Sequence, residues 1–150
     1  MTKLYTIGYE RGSLSEVIAT LRTAGVKTLI DVRELPNSRR AGFSRRMLDA
    51  SLGEAGIVYK HMRALGTPKA GRDAAKRGDT QTMHHIFEQK LETPESQLAL
   101  IEAAEIAKDA PACLLCLEHD WHECHRAIVA ERLAAHGLTA VHLTPEMRPA

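Results

Sequence analysis

From its first residues the chain alternates short apolar runs with longer segments whose apolar positions recur every three to four residues. Leu4 to Gly8 reads as a strand. Leu14, Val17, Ile18 and Leu21 follow at the i, i+3, i+4, i+7 spacing of a helix with one buried face. Ser13 precedes that stripe and Glu16 stands three residues further on, the pattern of a capping box, in which each side chain satisfies a backbone N–H that the first helical turn leaves unpaired. Gly25 supplies the stop, and Thr28-Leu29-Ile30-Asp31-Val32 reads as a second strand. The first third of the chain is therefore one β-α-β unit.

The pattern predicts further elements in the same way: a helix from Arg45 to Ala55 closed by Gly56, and a short strand from Ile57 to His61. Helices follow over 81–91 and 95–108, the second introduced by Thr93-Pro94, where a proline suits the first turn. A strand over 113–117, a helix from about 123 to 135 ending near Gly137, and a strand from Thr139 to Leu143 complete the chain. Residues 64–80 carry three glycines and a proline without an apolar period, which predicts a loop or lid. Short apolar strands alternating with helices specify an α/β fold, a single domain on a mostly parallel sheet of about five strands with helices on both faces. At 150 residues and 44% hydrophobic the chain is large enough for one core, and it shows neither an internal repeat nor a low-complexity segment.

Charge adds an asymmetry that the net value of +1 conceals. Residues 1–80 hold 15 Lys and Arg against 8 Asp and Glu, whereas residues 81–150 hold 5 against 11. A basic cleft concentrates anions, so an anionic small molecule or nucleic acid is the expected partner. No stretch approaches the roughly 18 apolar residues of a membrane span, and Leu4 to Ile7 is too short for a signal peptide. A cytoplasmic protein without a membrane partner is expected. Three cysteines, two of them among histidines and acids, suggest reduced thiols and no structural disulfide. No Gly-x-Gly-x-x-Gly or Walker loop is present, so neither a dinucleotide nor any other cofactor is assigned.

The chemistry concentrates where the fourth strand meets the following helix. Residues 116–126, Cys-Leu-Glu-His-Asp-Trp-His-Glu-Cys-His-Arg, fall at the type of turn where open α/β sheets bind ligands. Parallel strands end at one edge, so Tyr9 after the first strand, Asp31 and Arg33 at the second and Glu118 at the fourth are expected to converge there. Cys124, at a helix start beside Arg126, has the surroundings that lower a thiol pKa and is the candidate nucleophile, with Glu118 and Asp31 as the other candidate catalytic groups. Tyr9, Arg33, Arg39, His125 and Arg126 are the candidate ligand-binding residues, because arginine forks pair bidentately with phosphate or carboxylate oxygens. Arg33 to Arg46 packs five arginines around Phe43, which offers a ring for stacking on a base. The spacing is not the Cys-x5-Arg of thiol phosphatases. Cys116, His119, His122, Cys124 and His125 are zinc-binding residue types, but Cys113-x2-Cys116 lies in a strand where positions three apart face opposite sides, and no metal is assigned.

Taken together, Thr6-Ile7-Gly8-Tyr9, Asp31-Val32-Arg33 with Pro36 and Ser38-Arg39, Gly56-Ile57-Val58-Tyr59, Leu65-Gly66, and Cys116-x-Glu118 with Cys124-His125-Arg126 resemble the domain of unknown function 488 family over nearly the whole chain. Glu10 and Thr67 depart from the pattern, where a small hydroxyl residue and a second glycine are expected. The resemblance implies the α/β sheet and a shared site, without a settled reaction. The residues themselves predict an enzyme acting on a phosphate-bearing ligand, nucleotide-like or a nucleic-acid end, at a Cys/Glu/Arg site. Two alternatives stand beside it: a non-catalytic nucleic-acid-binding module using residues 39–46 and 69–77, and a metal- or redox-sensing protein built on Cys116 and Cys124. The oligomeric state is left open.

Overall fold

The computed structural model describes residues 2–118 and 124–145. Its elements are β1 (Thr2–Gly8), α1 (Leu14–Thr23), β2 (Thr28–Asp31), α2 (Arg45–Glu54), β3 (Val58–His61), a 3-10 turn at Arg63–Leu65, α3 (Lys69–Lys76), α4 (Thr80–Leu91), α5 (Pro94–Asp109), β4 (Ala112–Cys116), α6 (Arg126–Ala134) and β5 (Leu138–Leu143). The five strands form one sheet in the order β3-β2-β4-β1-β5, and every pairing is parallel. The expected α/β architecture is present, and the sheet is wholly rather than mostly parallel.

Strand alternation divides the core into two layers. Ile7, Leu29, Cys113 and Leu115 face α1 and α2 through Val17, Leu21, Leu48 and Leu52. Leu4, Ile30, Leu114 and Cys116 face the other way, onto Phe87, Leu91, Leu100, Ala103, Val129 and Leu133 of α4, α5 and α6. Cys113 and Cys116 therefore lie on opposite faces, as their spacing in a strand requires. The capping box forms: Glu16 N–H donates to Ser13 Oγ at 3.2 Å, and Ser13 N–H donates to Glu16 Oε1 at 2.8 Å. Thr93 caps α5, with Pro94 at its first position.

Two expected elements differ. Residues 64–80 are not a loop, since they contain the 3-10 turn and the two-turn helix α3. The buried face of α3 is made of Gly71 and Ala74, which leave no apolar period to read. Packing against α4 stabilises the helix instead: a Cβ on Gly71 would stand 2.5 Å from Thr67 Cγ2 and 3.5 Å from Ile86 Cγ2. The final helix begins at Arg126, with His125 at its N-cap, rather than near 123; residues 119–123 lie outside the described part. Among the described residues no helix is long and apolar enough to cross a membrane.

The winding order creates the crevice. From β1 the chain moves through α1, β2, α2 and β3 toward one edge, with its helices on one face; from β3 it returns through α3, α4, α5, β4 and α6 to β5 with its helices on the other. β4 and β1 are neighbours whose following helices depart on opposite faces. Such a switch point opens a cleft beyond the C-terminal ends of the two strands.

Candidate functional site

A cavity of about 300 Å³ occupies that cleft. Its wall takes Tyr9 from the end of β1, Arg33, Glu34, Leu35 and Asn37 from the segment after β2, and Cys116, Leu117 and Glu118 from the end of β4. Thr67, Arg72, Ala75, Lys76, Met83 and His125 complete it. Backbone pairing of β1 with β4 continues past the strands, Tyr9 N–H donating to Cys116 O at 3.1 Å and Glu10 N–H to Leu117 O at 2.8 Å. Gly8 permits this approach, because a Cβ there would fall on the Glu118 carbonyl oxygen and against Arg126 Nη1.

Arg33 and Asp31 form a buried ion pair, 7% and 0% exposed. Arg33 donates from Nε to Asp31 Oδ1 at 2.9 Å and from Nη2 to Oδ2 at 2.7 Å, and its own backbone N–H reaches Oδ1 at 3.1 Å. Tyr59 donates its hydroxyl to Oδ2 at 2.6 Å. Arg33 Nη1 donates to Tyr9 Oη at 3.2 Å and to Phe43 O at 2.7 Å. Burial alone would lower the Arg33 pKa, but the hydrogen bonds and charge of Asp31 outweigh it and the guanidinium is held charged. Burial, then the hydrogen bond to Asp31, raises the Tyr59 pKa well above its ordinary value. Asp31 is thus a fully enclosed anchor and Arg33 a wall of the cavity with its charge already matched. Phe43, 1% exposed, stacks on Tyr9 at 4.3 Å between ring centroids and belongs to the core.

Arg126 is fully buried on the other face of the sheet. It donates from Nε to Thr6 Oγ1 at 3.2 Å and from Nη1 to Cys116 Sγ at 3.2 Å, with Nη1 also bonded to the Glu118 carbonyl. The two arginines expected to hold one anion therefore lie on opposite faces, and only Arg33 lines the cavity. Arg39 is exposed and outside the lining. Of the eight residues singled out from the sequence, Tyr9, Arg33, Glu118 and His125 share the cavity wall. Asp31 and Cys124 stand directly behind that wall, bonded to Arg33 and Cys116 respectively.

The expectation of unpaired thiols is corrected, since the structure joins Cys116 and Cys124 in a disulfide. The turn between β4 and α6 brings back to the strand end a residue eight positions on in sequence, a return that spacing alone does not reveal. Cys124 is 1% exposed, not an open helix-start thiolate. Cys113 stays unbonded, and burial pushes its thiol well above the ordinary range.

His125 links the two faces of the site. Its ring stands edge-on to Phe87, Nε2 is 2.7 Å from Val32 O, and Nδ1 is 3.8 Å from Cys124 Sγ. A carbonyl only accepts, so Nε2 carries the proton and Nδ1 presents its lone pair toward the sulfur. Burial lowers the pKa from 6.5 to about 4; the Val32 carbonyl and Asp31 oppose this, and the Arg126 charge adds to it. The unfolded chain binds this proton more readily than the folded one. Stability contributed by the neutral ring is therefore present above pH 6.5 and lost as pH falls through about 4. In the disulfide-bonded protein, denaturant titrations are expected to show roughly 3 kcal/mol lost across that window from this group. A His125→Asn variant with the same slope between pH 6.5 and 4 would show that the ring is not the source.

The 64–80 segment supplies lining residues that the sequence reading did not select. Arg72 donates from Nη1 to Thr67 O at 3.1 Å and pairs with Glu34, while Lys76 stands exposed at the mouth. The available signal was Arg72 and Lys76 at an i, i+4 spacing, one face of a helix.

These features define an all-parallel α/β protein with a crevice of mixed polar and apolar lining where its sheet reverses winding. The chain belongs to the family described as Domain of unknown function DUF488, matched over residues 13–133. No curated protein and no solved structure matches it.

Proposed function

We propose that the protein is a cytoplasmic enzyme acting on a small phosphate-bearing, nucleotide-like molecule held in the β1/β4 crevice. The observation that carries this reading is the mixed lining of one cavity at the switch point. Tyr9, Leu35, Ala75 and Met83 offer apolar surface, Lys76 and the Glu34-paired Arg72 bring cationic groups, and Glu118 brings a carboxyl group. At about 300 Å³ the cavity is at the small end of ligand pockets, suited to a nucleotide fragment rather than a dinucleotide. In this reading Lys76 and Arg72 meet the phosphate, Glu118 moves the proton, and the Asp31–Arg33 pair positions Tyr9.

A thermal-shift panel of nucleoside monophosphates, nucleoside diphosphates and inorganic phosphate tests it. A ligand at about a hundred times its Kd stabilises the fold by about 2.7 kcal/mol. Lys76→Ala is expected to weaken that binding about tenfold, and Glu118→Gln to keep the shift while abolishing turnover. A panel without a shift, or a shift indifferent to both Lys76→Ala and Arg72→Ala, overturns the proposal.

One observation favours a second reading, the non-catalytic nucleic-acid-binding module. Arg39, Arg45 and Arg46 are exposed around the start of α2. Steeply salt-dependent oligonucleotide binding that survives Glu118→Gln and is lost on replacing these arginines would select it.

A further inference from the structure

We propose that, in the reduced protein, Cys116, Cys124 and His125 bind one zinc-class divalent ion at the wall of the crevice. Cys116 Sγ, Cys124 Sγ and His125 Nδ1 all lie within 4.8 Å of one another, and all three residues are buried. Zinc bonds of about 2.3 Å to sulfur and about 2.0 Å to nitrogen place tetrahedral ligand atoms about 3.5–3.8 Å apart. The Nδ1 to Cys124 Sγ separation of 3.8 Å already fits.

Three further observations prepare these atoms for a metal. The bond from His125 Nε2 to Val32 O fixes the ring and leaves Nδ1 unprotonated, the carbonyl–histidine arrangement that orients metal-bound imidazoles. Both sulfurs accept N–H groups from one residue: Arg126 N–H reaches Cys124 Sγ at 3.4 Å and Arg126 Nη1 reaches Cys116 Sγ at 3.2 Å. Such donors stabilise thiolates, the form that ligates metal. The Cα atoms of the two cysteines stand 7.3 Å apart, beyond the roughly 4.4–6.8 Å that disulfides usually span, so the backbone leaves room for an atom between the sulfurs.

Passing from the joined to the metal-binding state requires two electrons and two protons. A dithiol reductant supplies them and leaves as its own disulfide, while Cys116 and Cys124 become thiols. Binding the ion then releases the two thiol protons. Among the described residues three ligands are available, and because Cys116 and His125 line the cavity, a fourth ligand can approach the ion from it. There the ion would polarise a phosphoryl oxygen or a bound water beside Glu118. This role rests on the proposed function; the binding does not.

The test uses full-length protein purified without a histidine tag under a dithiol reductant, titrated with Co²⁺ and followed by absorption. One Co²⁺ per chain, with tetrahedral d–d bands and a near-ultraviolet thiolate charge-transfer band, is expected, displaced by Zn²⁺ and absent after disulfide formation. Cys116→Ser and Cys124→Ser should lose the charge-transfer intensity stepwise, and His125→Gln should weaken binding at least tenfold. Should those variants fail to fold, Zn²⁺ is expected to protect Cys116 and Cys124 of the native chain from alkylation, read by mass spectrometry. Trace binding, a cobalt spectrum without thiolate bands, or equal labelling with and without Zn²⁺ overturns the site. The phosphate panel run on both the oxidised, metal-free and the reduced, zinc-loaded protein separates the two proposals, because its failure in both alongside stoichiometric cobalt removes only the substrate reading.

Discussion

Replacing Asp31 by alanine is expected to lower the unfolding free energy by about 3–5 kcal/mol, the cost of leaving a buried charge without its partner. The guanidinium of Arg33 would lose both arms of its fork, and the Tyr59 hydroxyl its acceptor, around a carboxylate site that is itself fully buried. For a chain of this size the melting temperature should fall by on the order of 10 °C. The double variant Asp31→Leu/Arg33→Met should recover much of the loss, because removing both charges also removes the desolvation cost that their pairing offsets. Denaturant titrations of the four-member cycle measure the coupling. A loss below about 1 kcal/mol for Asp31→Ala would mean that Arg33 finds water or another anion, and the pair would then not be the anchor of the cavity wall.

Gly8→Ala is expected to destabilise the fold and acts directly on the site. The new Cβ would overlap the carbonyl oxygen of Glu118, a backbone atom that cannot rotate away, and press on Arg126 Nη1. Either β1 separates from β4 or the segment after Cys116 moves, and both displace Glu118 and weaken the bonds of Arg126 to Cys116 and Thr6. Overpacking of this kind costs about 1–3 kcal/mol, and more where backbone must yield. Gly53→Ala is the control, since nothing lies within 4 Å of its Cβ position and Gly53 is inside α2. That change should stabilise the protein by about 0.5–1 kcal/mol. Equal effects at the two positions would show that β1 and β4 tolerate separation at the crevice.

Where the information for an element is local, the sequence carried it. The stripe Leu14, Val17, Ile18 and Leu21 with Ser13 and Glu16 specified α1 and its cap, because caps and helical faces depend on residues within one or two turns. The β-α order likewise placed Tyr9, Arg33 and Glu118 at one edge, since parallel strands all end on the same side. The α3 helix escaped because its buried stripe is glycine and alanine, residues whose contribution comes from what packs on them.

What lies between the strands is a different kind of fact. The insertion of β4 between β1 and β2 decides that Arg33 and Arg126, alike as sequence, lie on opposite faces with different partners. It sets Cys116 against Cys124 and His125, and it gives Asp31 a guanidinium and a phenol as its partners. The sequence by itself determined the elements, their order and the edge at which chemistry-bearing residues gather, because those follow from short-range periodicity and chain direction. The tertiary structure alone decided which of those residues are neutralised, bonded or left facing the crevice, because the state of a buried polar group is set by the neighbours that long-range packing brings to it.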